Sequence, residues 1–367
     1  MSKPSQLGRP LLAAAEDGGA EDDAGSAGPG ELPCGVPVLP PECAGQDGQE
    51  GPALPSDLRC TGLYADFAQR QLACGLIEYT PAYELWSDGA LKRRWASIPA
   101  GAPVDTSNPI SFVYPIGTQF WKEFQVRVNG QLQPAETRLL RKLDGGWTFT
   151  TYVWSESGDS AIATNTGVAD WAGSGHTVPT RDQCIECHAG RPDRVLGWDA
   201  LLLAEGARGV PPELWPRDDA DAGAAPSIPG DEVERAALGY LHVNCGVSCH
   251  NDTLEARARD TGLLMQLPAA GLASVQDTPI AAAINKRPTG NAPVQELPEP
   301  PEGSFFDLLP LSPARSLVLA RMSVRSHPAQ MPPLASNQPD PDGIARVTAW
   351  ITQMTPERGY MPPSNEP

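Results

Sequence analysis

The alternation of apolar and polar positions is sharpest between residues 120 and 128. In FWKEFQVRV, Phe120, Lys122, Phe124, Val126 and Val128 fall on one side of an extended chain, with Trp121, Glu123, Gln125 and Arg127 on the other. Asn129-Gly130 follows, a pair suited to a two-residue hairpin because both residues tolerate positive φ. TRLLRKL then leads to Asp144-Gly145-Gly146, and WTFTTYVW (147–154) is rich in aromatic and β-branched residues. Short strands with polar turns predict a β-rich domain over 58–175, an antiparallel sandwich or barrel-like sheet. YELWSDGALKRRWASIP (83–99) is expected as a loop and edge strand leading into it.

The period changes after residue 230. DEVERAALGYLHVNC (231–245) sets Val233, Ala237, Tyr240 and Leu241 on one helical face. A second helix is expected with Ser312 as N-cap and Pro313 in its first turn, running through Leu317, Leu319, Ala320 and Met322. A third has Asp340 as cap and Pro341 after it, with Ile344, Val347, Trp350, Ile351 and Met354 inward. Residues 268–311 between the first two are Pro-rich and irregular. Residues 1–55 read as a flexible acidic Gly/Pro-rich tether, 176–226 as a connecting region, and 217–230 as a linker. The expected class is α+β multidomain, an antiparallel β-rich N-terminal domain followed by a mainly α domain over 231–355.

Composition adjusts this picture. The 36 Gly and 40 Pro among 367 residues predict many loops and modest helix content. A formal charge of −18 argues against nucleic acid or anionic lipid as partners and leaves either a solubilising surface or a docking face for a basic redox partner. No apolar run of about 18 residues is present, so no transmembrane span is expected. Near the start, Lys3 and Arg9 precede only a short apolar stretch, so a signal peptide is not evident. Of 8 Cys, four sit in the N-terminal part: Cys34, Cys43, Cys60 and Cys74. Two disulfides, with local pairs Cys34–Cys43 and Cys60–Cys74, are expected among three connectivities, and they imply an oxidising compartment.

The other four cysteines carry the chemistry. Cys184-Ile185-Glu186-Cys187-His188 is the attachment pattern of c-type haem: two thiols add to the haem vinyl groups, and the adjacent imidazole becomes the proximal iron ligand. Cys245-Gly246-Val247-Ser248-Cys249-His250 has the same order with one extra residue, and Gly246 eases the wider loop. A four-thiolate zinc site competes, since the cysteine spacing suits it. Zinc, however, needs no His after each pair, and with 5 His in the chain that coincidence has a chance of about 2 in 10,000. For the second site, Met331 before Pro332-Pro333 is the expected sixth ligand, and Met361-Pro362-Pro363 is a decoy in the tail. For the first, His176, His242 and His327 are candidates, as is an open five-coordinate iron.

Residues 231–354, with a helix entering a haem motif, a Met-bearing loop and a terminal helix containing AWI, resemble a class I cytochrome c domain. Cys245, Cys249, His250 and Met331 match its thioether, proximal and distal positions. LYADF, ELWSDGALKRRW, PIGTQFWKEF, ETRLL, GGW, YVW, QCIECH, NCGVSCHN and MPPL are similar to a bacterial di-haem c-type family joining a β-rich part to a cytochrome c domain. The resemblance spans roughly 58–355, departs at the second motif's spacing, and implies a redox protein of the cell envelope. The expected function is one-electron transfer by two covalently attached haems c in the periplasm or at the extracellular face. The rivals are a di-haem peroxidase and a β-domain binding module for a protein or polysaccharide, using aromatics such as Trp121, Trp147 and Trp154.

Overall fold

The computed structural model describes residues 34–44, 54–204, 206–211, 226–289, 297–300 and 303–363. Most of the expected tether and of the 217–230 linker lies outside them. The centre of the molecule is a six-stranded antiparallel meander: β3 (Ile77–Glu78), β4 (Leu91–Ser97), β5 (Gln119–Val128), β6 (Gln131–Leu143), β7 (Gly146–Trp154) and β8 (Ala161–Thr164), paired in chain order. Asn129 and Gly130 take φ of 50° and 80° and close the β5–β6 hairpin as their side chains allow. A separate ribbon pairs β1 (Tyr64–Asp66) with β2 (Gln71–Leu72).

Both faces of the sheet are covered. Trp121 belongs to a core with Trp95, Leu139 and Trp154, whereas neighbouring Phe120 belongs to another with Tyr79, Tyr114 and Trp198. Trp121 and Trp154 are therefore core residues, each 1% exposed, with indole N–H groups donated to Thr61 and Thr137. A bulge between Phe124 and Gln125 interrupts the alternation. The stretch expected as an edge, β4, lies inside the sheet with β3 on one side and β5 on the other.

The four α-helices among the described residues are short: α1 (Arg181–His188), α2 (Glu232–Leu241), α3 (Leu317–Ser323) and α4 (Pro341–Thr352). Asp231 caps α2 in a reciprocal box with Glu234, and Asp340 caps α4 through the N–H groups of Asp342 and Gly343. The helix expected from Ser312 breaks instead: Pro313–Arg315 is a 3-10 turn, and α3 starts only after Ser316. The mainly α class I cytochrome c domain expected over 231–355 does not form. Its helices span 10, 7 and 12 residues, and Pro-rich loops and 3-10 turns fill the remainder. Proline removes a backbone donor and blocks the α conformation of its predecessor, so this stretch cannot propagate helix. Trp350, Ile351, Leu238 and Leu241 still form one core, which packs α2 against α4.

The disulfides are Cys34–Cys74 and Cys43–Cys60, not the local pairs expected. Gly35 lies beside Ala73 as an added bridge, with Gly35 N donating to Leu72 O and Cys74 N to Gly35 O, which carries Cys34 to Cys74. None of the helices among the described residues is long and apolar enough to cross a membrane.

Candidate functional site

The two Cys-His segments are built differently. Thr180 caps α1 with Gln183 in a reciprocal box, and the helix then places Cys184, Cys187 and His188 within its last two turns. In the second, α2 does not continue as α-helix. His242–Gly246 forms a π turn in which Val247 N donates to His242 O and His250 N to Cys245 O, both at 2.8 Å and five residues back. In α1 the bonds reach four residues back, as from Cys184 N to Thr180 O. A π turn absorbs one extra residue without losing helical register. The third residue between Cys245 and Cys249 is taken up this way, and His250 still stands over the turn that carries Cys245.

Both imidazoles are prepared alike. His188 Nδ1 donates to Arg194 O, and His250 Nδ1 donates to Leu263 O at 3.0 Å. A carbonyl can only accept, so the proton sits on Nδ1 and each Nε2 keeps its lone pair. Ligating histidines are held in the same way. Burial pushes His188 down to about 4 and lowers His250 also, which keeps both rings neutral. The four thiols shift the other way. Burial raises Cys187 to about 12, with nearby Cys249 adding to it, and raises Cys245 to about 12. Cys184 and Cys249 are raised by burial as well.

Each segment opens on a cavity. Cys245, Cys249, His250 and Met331 line one of about 440 Å³, within the range of cofactor sites. The Met331 loop is tied to α3, with Met331 N donating to Arg321 O at 2.9 Å and Arg321 Nε to Ala329 O at 2.8 Å. Met361 is 65% exposed and lies outside this cavity. Cys184, Cys187 and His188 line a narrower cleft of about 130 Å³ between α1 and the sheet. Of the candidate distal histidines, only His176 lines that cleft, and its Nε2 is engaged with Glu136 at 2.9 Å. His242 is fully buried with Nδ1 accepting from Leu267 N, and His327 lines neither cavity.

The segments also meet. A Cβ on Gly190 would stand 1.8 Å from Ser248 O, a contact only glycine permits. Glu186 pairs with Arg257 and Arg194 with Glu255, so two ion pairs cross the same junction. Behind it, buried Asp199 lies 3.5 Å from Arg191 and 3.7 Å from His242.

Sequence reading missed the cations of the first cleft. Arg94, Lys122 and Arg138 line it from β4, β5 and β6. Glu136 is fully buried; burial would raise its pKa, but the ion pair and hydrogen bonds from Arg138, with His176, pull it to about 2. Burial, then Arg94, Lys92 and Arg138, push Lys122 well below the ordinary lysine range. The signal was Lys122 itself, a charge in the apolar row of Phe120, Phe124 and Val126.

Among the described residues no three His, Cys, Asp or Glu converge as a metal site, which disfavours the four-thiolate zinc alternative. A covalent haem needs no such convergence, because thioether carbons hold the macrocycle and the protein gives its iron at most two ligands. Paired thiols beside an imidazole with a free Nε2 fit that group at both places. The second cavity supplies room, and a thioether-anchored ring in the narrow first cleft can protrude without being lost. No family model matches the chain, nor does any curated protein or solved structure.

Proposed function

We propose that this chain is an exported di-haem c-type cytochrome that passes single electrons between redox protein partners of the cell envelope. The observation that carries the reading is the repeated arrangement of paired cysteines and an adjacent His with Nδ1 donated to a backbone carbonyl. Cys184 and Cys187 would hold one haem and Cys245 and Cys249 the other, with His188 and His250 as proximal ligands and Met331 as sixth ligand at the second. The group supplies a reversible one-electron couple at its iron. The chain's own part is to keep both imidazoles neutral and aimed, to line the larger cavity, and to hold the two sites adjacent through Gly190–Ser248 and the ion pairs beside it. Two disulfides agree with an oxidising compartment such as the periplasm or the extracellular face.

The test is a pyridine haemochrome assay with intact-mass spectrometry on protein made in cells able to attach haem. Two added haem masses are expected. One would remove a motif from the reading, and none would refute it.

A second reading is favoured at the first site alone. Among the described residues no Met lines that cleft and His176 is held by Glu136, so a haem held there would lack an evident second ligand from this chain, as a di-haem peroxidase requires. A high-spin haem with peroxide-dependent oxidation of a donor would favour that enzyme. Two low-spin haems without turnover would leave the carrier.

A further inference from the structure

Three cations stand in one row across the central sheet. The register sets Arg94 opposite Lys122, and Lys122 opposite Arg138. Like charges directly opposite on adjacent strands repel, so such a row needs anions to persist. The ends have partners: Arg94 Nη2 reaches Glu84 at 2.7 Å, and Arg138 grips Glu136 through two bonds. The middle does not. Lys122 Nζ meets the face of Phe124 at 4.8 Å, and the Glu84 carboxylate acts on it only from longer range. Arg94 is 5% exposed, yet its Nη1 has no hydrogen-bond partner. A buried donor left unpaired is costly, and each such group calls for an explanation.

All three cations line the cleft that holds Cys184, Cys187 and His188. The one carboxylate on its lining, Asp88, is occupied by the backbone N–H groups of Asn337 and Gln338 and by Ser336 Oγ. Lys92, just behind, is spent on Leu85 O and Glu84. The row therefore carries more cations than partners, and it lines the same cleft as the two thiols. A haem fixed there by its vinyl edge brings two carboxylates on its other edge.

We propose that Arg94 and Lys122, with Arg138 beside them, form a carboxylate-binding row for the two propionates of the haem held at Cys184 and Cys187. This rests on the haem reading of that motif. It gives the β-sheet a role: it completes the first haem site and sets the charge around it. A ferric haem carries one more positive charge than a ferrous one, so neighbouring cations favour the reduced state.

The experiment uses the full-length holoprotein with Lys122→Met, Arg94→Gln and Arg94→Lys. Haem content is read by intact mass, and both midpoint potentials by spectroelectrochemical titration. Both variants that remove a charge should retain two haems, because attachment needs only the Cys-His segment. One midpoint should fall by about 59 mV, a tenfold shift of the one-electron equilibrium, while the other holds. Arg94→Lys keeps the charge and should hold the midpoint near the wild-type value; Lys122→Met, close in shape, serves if Arg94→Gln fails to fold. Two haems with both midpoints unmoved in Lys122→Met would overturn the proposal alone. A wild-type midpoint that moves on adding malonate would overturn it too, since the row would then be open to free carboxylates. Wild-type protein without haem on Cys184 and Cys187 would overturn the site reading and this proposal together.

Discussion

Replacing Gly190 by Ala should separate the two Cys-His segments without touching any cysteine or histidine. The added Cβ would stand 1.8 Å from Ser248 O, against the 3.0 Å below which such contacts are essentially never found. Ser248 O is backbone in the turn leading to Cys249 and cannot swing away as a side chain would. The chain must therefore part by about 1.2 Å at the junction, an overpacking strain that typically costs about 1–3 kcal/mol. Gly190 has no positive φ, so backbone conformation adds nothing to that cost. Gly145 is the matched control: its φ is also ordinary, and nothing lies within 4 Å of its would-be Cβ. Gly145→Ala should be neutral or stabilise by about 0.4–1 kcal/mol through the unfolded chain. Urea unfolding of the holoprotein with disulfides intact measures both, as a change in midpoint at constant slope. A Gly190→Ala midpoint equal to wild type would refute the close packing of the two segments, and so would an equal loss in both variants.

Met331→Ala should keep both haems by mass yet lower one midpoint potential, because thioether ligation raises it; Met361→Ala, at an exposed position, should change neither. Acid should destabilise the protein through Glu136. Its folded pKa of about 2 lies below the ordinary 4.5, so its contribution of about 3 kcal/mol is complete above pH 4.5 and fades as pH falls toward 2. Urea midpoints followed from pH 6 to 2.5 should show that decline, and a flat profile would contradict the Arg138–Glu136–His176 cluster. Digestion without reductant should release peptides joined as Cys34–Cys74 and Cys43–Cys60. Removing the second bridge by Cys43→Ser with Cys60→Ser should cost about 3 kcal/mol in thermal or urea unfolding.

What was legible in the sequence was local. The β5–β6 hairpin follows from alternation and from Asn129-Gly130, which needs no distant partner. The starts of α2 and α4 follow from Asp231 and Asp340, whose caps lie within three residues. Features set by distant pairing were misread. The place of β4 inside the sheet depends on β3, and the joining of Cys34 to Cys74 depends on Gly35 lying against Ala73. The α domain was overdrawn for a related reason: three short helices were taken to make a mainly α domain, although the Pro-rich chain between them was read as irregular, and there 3-10 turns and side-chain hydrogen bonds satisfy the backbone.

The site divides along the same line. Cys184, Cys187 and His188, and Cys245, Cys249 and His250, announce themselves by spacing, and Met331 by its place before two prolines. The carbonyls that fix each imidazole come from Arg194 and Leu263, six and thirteen residues on, and carry no side-chain signature. The extra residue in the second motif reads as a defect in one dimension. In three dimensions a π turn takes it up, with the five-residue bonds from Val247 and His250 keeping the imidazole over its cysteine turn. The row of Arg94, Lys122 and Arg138 is invisible until β4, β5 and β6 are placed side by side, for its members are 28 and 16 residues apart and only register makes them neighbours. A charge set into an apolar strand face is therefore the mark to look for: its burial is costly, and it lines the same cleft as the paired-thiol segment.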